Sequence, residues 1–166
     1  MYYKIEDFLN DWDYESSATL KNFELLTDKS LDTKVYNEGR TLGYIAWHIT
    51  YSIGEMMNRT GLQVKSPDEK SDAPASAKEI STKYMEASKS LIDEIKNKWN
   101  DESLRIEDDM YGQKWKRYET LSRLVSHQTH HRGQMSVLMR QAGLKVHGVY
   151  GPAKEEWEKI GMTPMK

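Results

Sequence analysis

The sequence predicts an all-α fold, an antiparallel four-helix bundle with a short hairpin-like segment before the last long helix and a short C-terminal helix. Three observations predict it. Four stretches repeat apolar residues at three- and four-residue steps, the spacing that lines one face of an α-helix. The connections between them are polar and hold the prolines expected of loops. The 166 residues, 37% hydrophobic and 30% charged, are enough to bury a core, and are read as one domain over 1–166.

The first helix is read over 4–27, where Ile5, Phe8, Leu9, Trp12, Thr19, Leu20, Phe23 and Leu26 share a stripe. The second runs from about Thr41 to Arg59 on Leu42, Ile45, Ile49, Ile53, Met56 and Met57, and Gly61 is its stop signal. The third covers 76–99 with Ile80, Tyr84, Ala87, Leu91, Ile95 and Trp99. The fourth covers 119–142 with Leu121, Leu124, Val125, Met135, Leu138 and Met139, and ends before Gly143. Residues 28–40 and 62–75 read as loops, the second with two prolines. In 103–117 the alternation of Leu104 and Ile106 and the Tyr111-Gly112 pair suggest a hairpin. Residues 150–161 form the short last helix, with Pro152 suited to its first turn.

Composition narrows the function. A net charge of −2 and a pI near 6.2 leave no electrostatic footprint for nucleic acid, and the basic run at 114–117 is too short to supply one. No nucleic-acid partner is expected. No run approaches about 18 uninterrupted apolar residues and no apolar leader opens the chain, so no membrane association is expected and the cytoplasm is the expected location. With no cysteine, the chain has no disulfide, no thiolate ligand and no thiol nucleophile of its own.

Three of the five histidines crowd into "SHQTHHRGQM" at 126–135. On a helical wheel with Leu121 at zero, the apolar stripe of the fourth helix centres on roughly 320°. His131 falls inside it at about 280°, His127 on its edge at about 240°, and His130 turns away at about 180°. His127 and His131 are therefore one turn apart on one face and can converge on one ion. His48 lies on the polar border of the second helix, near Tyr44, Ser52 and Glu55. Spacing alone leaves two readings open. The histidines are hydrogen-bonded residues at the core edge, or they are three ligands of a metal with an open position. Nitrogen ligands of this kind suit zinc, nickel, iron or copper.

"WHITYSIGEM" at 47–56 and "HQTHHRGQM" at 127–135 resemble the two signatures of the DinB-like family of four-helix bundles, and "MRQAGLKVHGVYGPAKEEW" at 139–157 is similar to a family ending. The resemblance implies a divalent metal ion (Zn, Ni or Fe) on His48, His127 and His131. His130 and His147 depart from the family pattern and are read as non-ligands. Within the motif, Gly133 is expected to permit close helix approach and Gln134 to hydrogen-bond behind a ligand. The family implies a metal-dependent S-transferase for a low-molecular-weight thiol, bacillithiol-type, acting on an electrophilic substrate, and a homodimer. Two alternatives remain: a hydrolase using metal-bound water with Glu55 as base, or a non-catalytic, stress-associated metal-binding or interaction module. Glu55 has an ordinary reading too, as a solvated helix carboxylate. Trp12, Met56, Met57 and Met139 read as core stripe, or as a dimer face if exposed.

Overall fold

The computed structural model describes residues 1–163. Four α-helices carry the architecture: α1 (Ile5–Phe23), α2 (Leu42–Met57), α3 (Ala77–Lys98) and α4 (Arg117–Gln141). A two-stranded antiparallel hairpin, β1 (Glu107–Met110) and β2 (Gln113–Lys116), precedes α4. The all-α bundle expected from periodicity is the fold. Trp12, Phe8, Ile49, Ile53, Ile80, Leu91, Leu121, Leu124 and Met139 are all fully buried along its axis.

Each helix packs beside two others: α2 against α3 and α4, and α1 against α3 and α4. Directions follow from the hydrogen bonds at the ends. Asp28, just past α1, accepts from the Ala77 N–H at the start of α3, and Asp101, just past α3, accepts from Ile5 N–H at the start of α1. Those two helices are antiparallel. Arg117 at the start of α4 donates to the Thr60 carbonyl past the end of α2, so α2 and α4 are antiparallel as well. Gln63, beyond α2, bonds Glu94 near the end of α3 at 2.6 Å, so α2 and α3 run the same way. The Asn22 side chain at the end of α1 bonds the His147 backbone past α4, so α1 and α4 also run the same way. The antiparallel expectation is thereby refined: two faces of the bundle are antiparallel, and the α2/α3 and α1/α4 faces are parallel.

The physical reason is the connection 61–76. About sixteen extended residues span about 50 Å, enough to return along the whole length of a helix of about 33 Å. The return path is packed into the molecule. Leu62 and Val64 are buried, Lys65 N–H donates to Ser90 Oγ at 2.8 Å, and the Trp47 indole donates to Ser71 Oγ at 3.1 Å. Gly54 permits the approach, since a Cβ there would meet Ser66 Oγ at 1.9 Å.

Local chemistry sets the ends. The Thr41 and Ser76 hydroxyls accept from the N–H groups of Tyr44 and Glu79, capping α2 and α3. The first helix stops at Phe23 rather than at 27, because Thr27 and Ser30 form a reciprocal capping box that opens a 3-10 turn, Asp28–Asp32. Leu104 is buried in another such turn, Asp101–Arg105, so the expected extended segment begins only at Glu107. The hairpin turn is Tyr111-Gly112, with φ of 60° and 79°, the two-residue turn whose twist matches paired strands. The final helix is a 3-10 helix, Lys154–Ile160, and Pro152 lies before its first turn rather than within it. Trp12, Met56, Met57 and Met139 are buried, so they are core and not a dimer face.

Candidate metal centre

The site lies where α2 crosses α4. His48 enters from the second turn of α2, one face away from the core residues Ile45 and Ile49. His127 and His131 enter from α4, one turn apart. The Nε2 atoms of His48 and His127 are 3.0 Å apart, and one nitrogen from each of the three rings lies within 4.8 Å of the others. Ring centroids are 4.4 to 4.8 Å apart. His131 is buried, and His48 and His127 are half-buried.

The outward nitrogens decide which face of each ring is free. His131 Nδ1 lies 2.8 Å from Gln134 Oε1, a carbonyl oxygen that only accepts, so Nδ1 carries the hydrogen and Nε2 presents a lone pair. The Ser52 hydroxyl donates to the Ile49 carbonyl and meets His127 Nδ1 at 3.4 Å. Tyr51 Oη meets His48 Nδ1 at 2.6 Å. Each ring thus has an oxygen behind its Nδ1 and directs Nε2 inward. Hydrogen-bonded outer nitrogens of this kind are what metal-ligating histidines use to fix tautomer and ring angle. Without a metal, the His48 and His127 Nε2 atoms at 3.0 Å share one hydrogen, and a cation that displaces it meets three converging lone pairs. The donor set therefore fits a divalent metal, with three nitrogens and room for further ligands.

Electrostatics agrees. Burial, reinforced by His131 and Arg40, pushes His48 down to about 4. Burial, then the other histidines, pushes His127 down to about 4. His131 is also lowered, chiefly by burial. All three are neutral at pH 7, the state in which imidazole binds metal.

The other expected residues lie elsewhere. His130 is exposed and touches the Gln134 amide at 3.1 Å. His147 pairs with Glu156 at 2.9 Å, in the tail segment. Neither joins the three. Glu55 does not bond the histidines: one carboxylate oxygen pairs with Arg59 at 2.9 Å and the other accepts from Tyr111 at 2.6 Å. Gly133 is exposed, and a Cβ there would meet nothing within 4 Å, so the expected close helix approach does not occur. Sequence reasoning missed Tyr51, although its three-residue step from His48 puts it on the same helical face. It also missed Arg132, which faces α1 rather than α2. There it makes a buried ion pair with Glu15 at 2.6 Å and donates to Thr19 Oγ1 at 3.0 Å and Tyr150 Oη at 3.1 Å.

The model of the DinB family matches residues 1–164. The chain belongs to the DinB family. A relative, the uncharacterized protein YrdA of Bacillus subtilis (strain 168), is 42% identical over 166 residues, covering 100% of this chain and 99% of that one. The crystal structure of a DinB-like protein from Bacillus cereus ATCC 10987 superposes with a TM-score of 0.88 at 40% identity, over 90% of this chain and 100% of the other. A second DinB-like protein, YjoA of Bacillus subtilis, has a TM-score of 0.68 at 16% identity, over 89% of this chain and 99% of the other, a likeness of fold alone.

Proposed function

We propose that this DinB-family chain is a metal-dependent enzyme that transfers a low-molecular-weight thiol to an electrophile, with His48, His127 and His131 holding the divalent cation. One observation carries the reading: three Nε2 atoms converge while each Nδ1 is held from behind by an oxygen. A bound zinc, nickel or iron ion supplies an open position at which a thiol of ordinary pKa about 8.5 loses its proton near neutral pH. Tyr51, Ser52 and Gln134 hold the three rings at their angles. Burial keeps the rings neutral, so protons do not compete for the nitrogens at pH 7. The absence of cysteine supports an external thiol, since no internal one competes for the position. A bacillithiol-type thiol is the class that the family resemblance implies, and a cytoplasmic homodimer belongs to the same reading.

Hydrolysis has less support. It needs a base beside the attacking water, and both oxygens of Glu55 are already engaged by Arg59 and Tyr111.

The test is elemental analysis of untagged protein purified without immobilised metal, beside a His127→Ala, His131→Ala variant. About one equivalent of zinc, nickel or iron, lost in the variant, is expected. Conjugation of a small thiol to an electrophile should then follow the metal. Wild-type protein that takes up no metal on titration overturns the reading.

A further inference from the structure

Charge around the three histidines is not distributed at random. Of the seven arginines, four are neutralised: Arg59 by Glu55 at 2.9 Å, Arg117 by Asp108 at 2.9 Å, Arg132 by Glu15 at 2.6 Å and Arg140 by Glu155 at 3.0 Å. Among the described residues, Arg40, Arg105 and Arg123 have no carboxylate within 4.0 Å. Arg105 sits at the other end of the bundle, beside the first residues of the chain. The remaining two flank the histidines. Arg40 lies just before α2, with its guanidinium carbon 4.9 Å from the Tyr44 ring centre. That ring is parallel to His48, with centroids 6.2 Å apart and planes 6° off. Residues 40, 44 and 48 thus form one stack in steps of four. On the other side, Arg123 is one helical turn before His127, with its guanidinium 4.2 Å from the Trp115 ring centre in β2.

A guanidinium placed over an aromatic ring is held there without using its N–H donors. Those donors form a fork that matches a carboxylate. Both arginines are exposed, so their donors face water rather than a protein acceptor. Glu55, whose charge reaches His127, is occupied by Arg59 and Tyr111. In a chain of net charge −2, this face presents two free cations beside a group of uncharged rings.

Resting on the thiol-transfer reading above, we infer that Arg40 and Arg123 recognise acid groups on the substrate, so that the site selects a carboxylate-bearing thiol over a neutral one. The arginines are specificity-determining residues: they orient the thiol while its sulfur is placed at the histidines.

The probes are mercaptosuccinate, a thiol with two carboxylates, and the neutral monothioglycerol. Each is titrated into cobalt-loaded protein and followed by the thiolate-to-cobalt absorption band. Wild type is expected to prefer mercaptosuccinate by about tenfold or more, the size of one charge-assisted contact. The ratio should fall in Arg40→Gln and in Arg123→Gln, and approach one in the double variant, with circular dichroism confirming the fold. Equal affinities in wild type, or a preference that survives in the double variant, overturn the inference while leaving the thiol reading intact. If neither thiol produces the band, the thiol reading fails instead. The arginines are then read directly, by NMR of their Nε–H groups titrated with succinate. Shifts at both uphold anion recognition, and their absence overturns it.

Discussion

Acidification is the perturbation that separates these histidines from ordinary ones. A ligand nitrogen must be free of its proton before it binds a cation, so metal affinity falls once pH drops below the pKa of the site. For an ordinary imidazole of pKa about 6.5, pH 5.5 leaves about ten rings protonated for each free one, an elevenfold weakening per ligand. Three such ligands would lose about 1300-fold. His48 and His127 lie at about 4, so at pH 5.5 only about 3% of each is protonated and together they cost less than about 10% of the affinity. His131 is lowered as well, so its loss is smaller than elevenfold. The dissociation constant for cobalt, measured by visible absorption against a calibrated competitor, should therefore rise by less than about tenfold between pH 7.5 and 5.5. A rise of a hundredfold or more would refute the argument that burial keeps these rings free of protons. The same depression governs the metal-free fold. Unfolded histidines take up protons from pH 6.5 downward, while folded His48 and His127 do so only near 4. Stability is thus fully present above pH 6.5 and declines as pH falls from 6.5 toward 4. A His48→Gln, His127→Gln variant should flatten that part of the urea-midpoint profile.

Three other outcomes are expected. Gln134→Leu removes the acceptor behind His131 and should weaken metal binding about 10- to 100-fold by calorimetry, with an unchanged circular dichroism spectrum. Glu15→Ala strands the Arg132 guanidinium in the interior and should cost about 3–5 kcal/mol in urea denaturation, whereas Glu15→Leu with Arg132→Leu should recover much of it. Gly112→Val forces a β-branched residue to a φ of 79° and should destabilise the hairpin by about 1–3 kcal/mol, read as a lower midpoint of thermal unfolding.

Helix existence was legible in the sequence because the apolar stripes are long: Phe8, Trp12 and Phe23, or Ile45, Ile49 and Ile53, are buried as their spacing requires. The wheel also separated His131 from His130 correctly, since burial follows helical phase. Helix direction was not legible. Only the contacts of Gln63 and Lys65 with the later turns of α3 reveal that the 61–76 segment returns along the bundle. The outer partners of the rings were readable only in part. Gln134 belongs to a recognisable motif, but Tyr51 looks like any helix-border tyrosine until its hydroxyl is found against His48. Glu55 lies on the right line of α2, yet its direction is set by Arg59, one turn on, and by Tyr111, which is 56 positions away.

The neighbouring positions 131 and 132 point to adjacent faces of α4, about 100° apart, one toward His48 and the other into the buried pairing with Glu15. That pairing acts as a keyway for the helix. Rolling α4 about its own axis, or sliding it by one residue, would tear the guanidinium from Glu15, Thr19 and Tyr150 before it moved an imidazole far. The angular setting of His127 and His131 is therefore fixed by α1, an element that contributes no histidine to the site. Alignment of the rings is completed during folding, and a cation entering the site has little left to order.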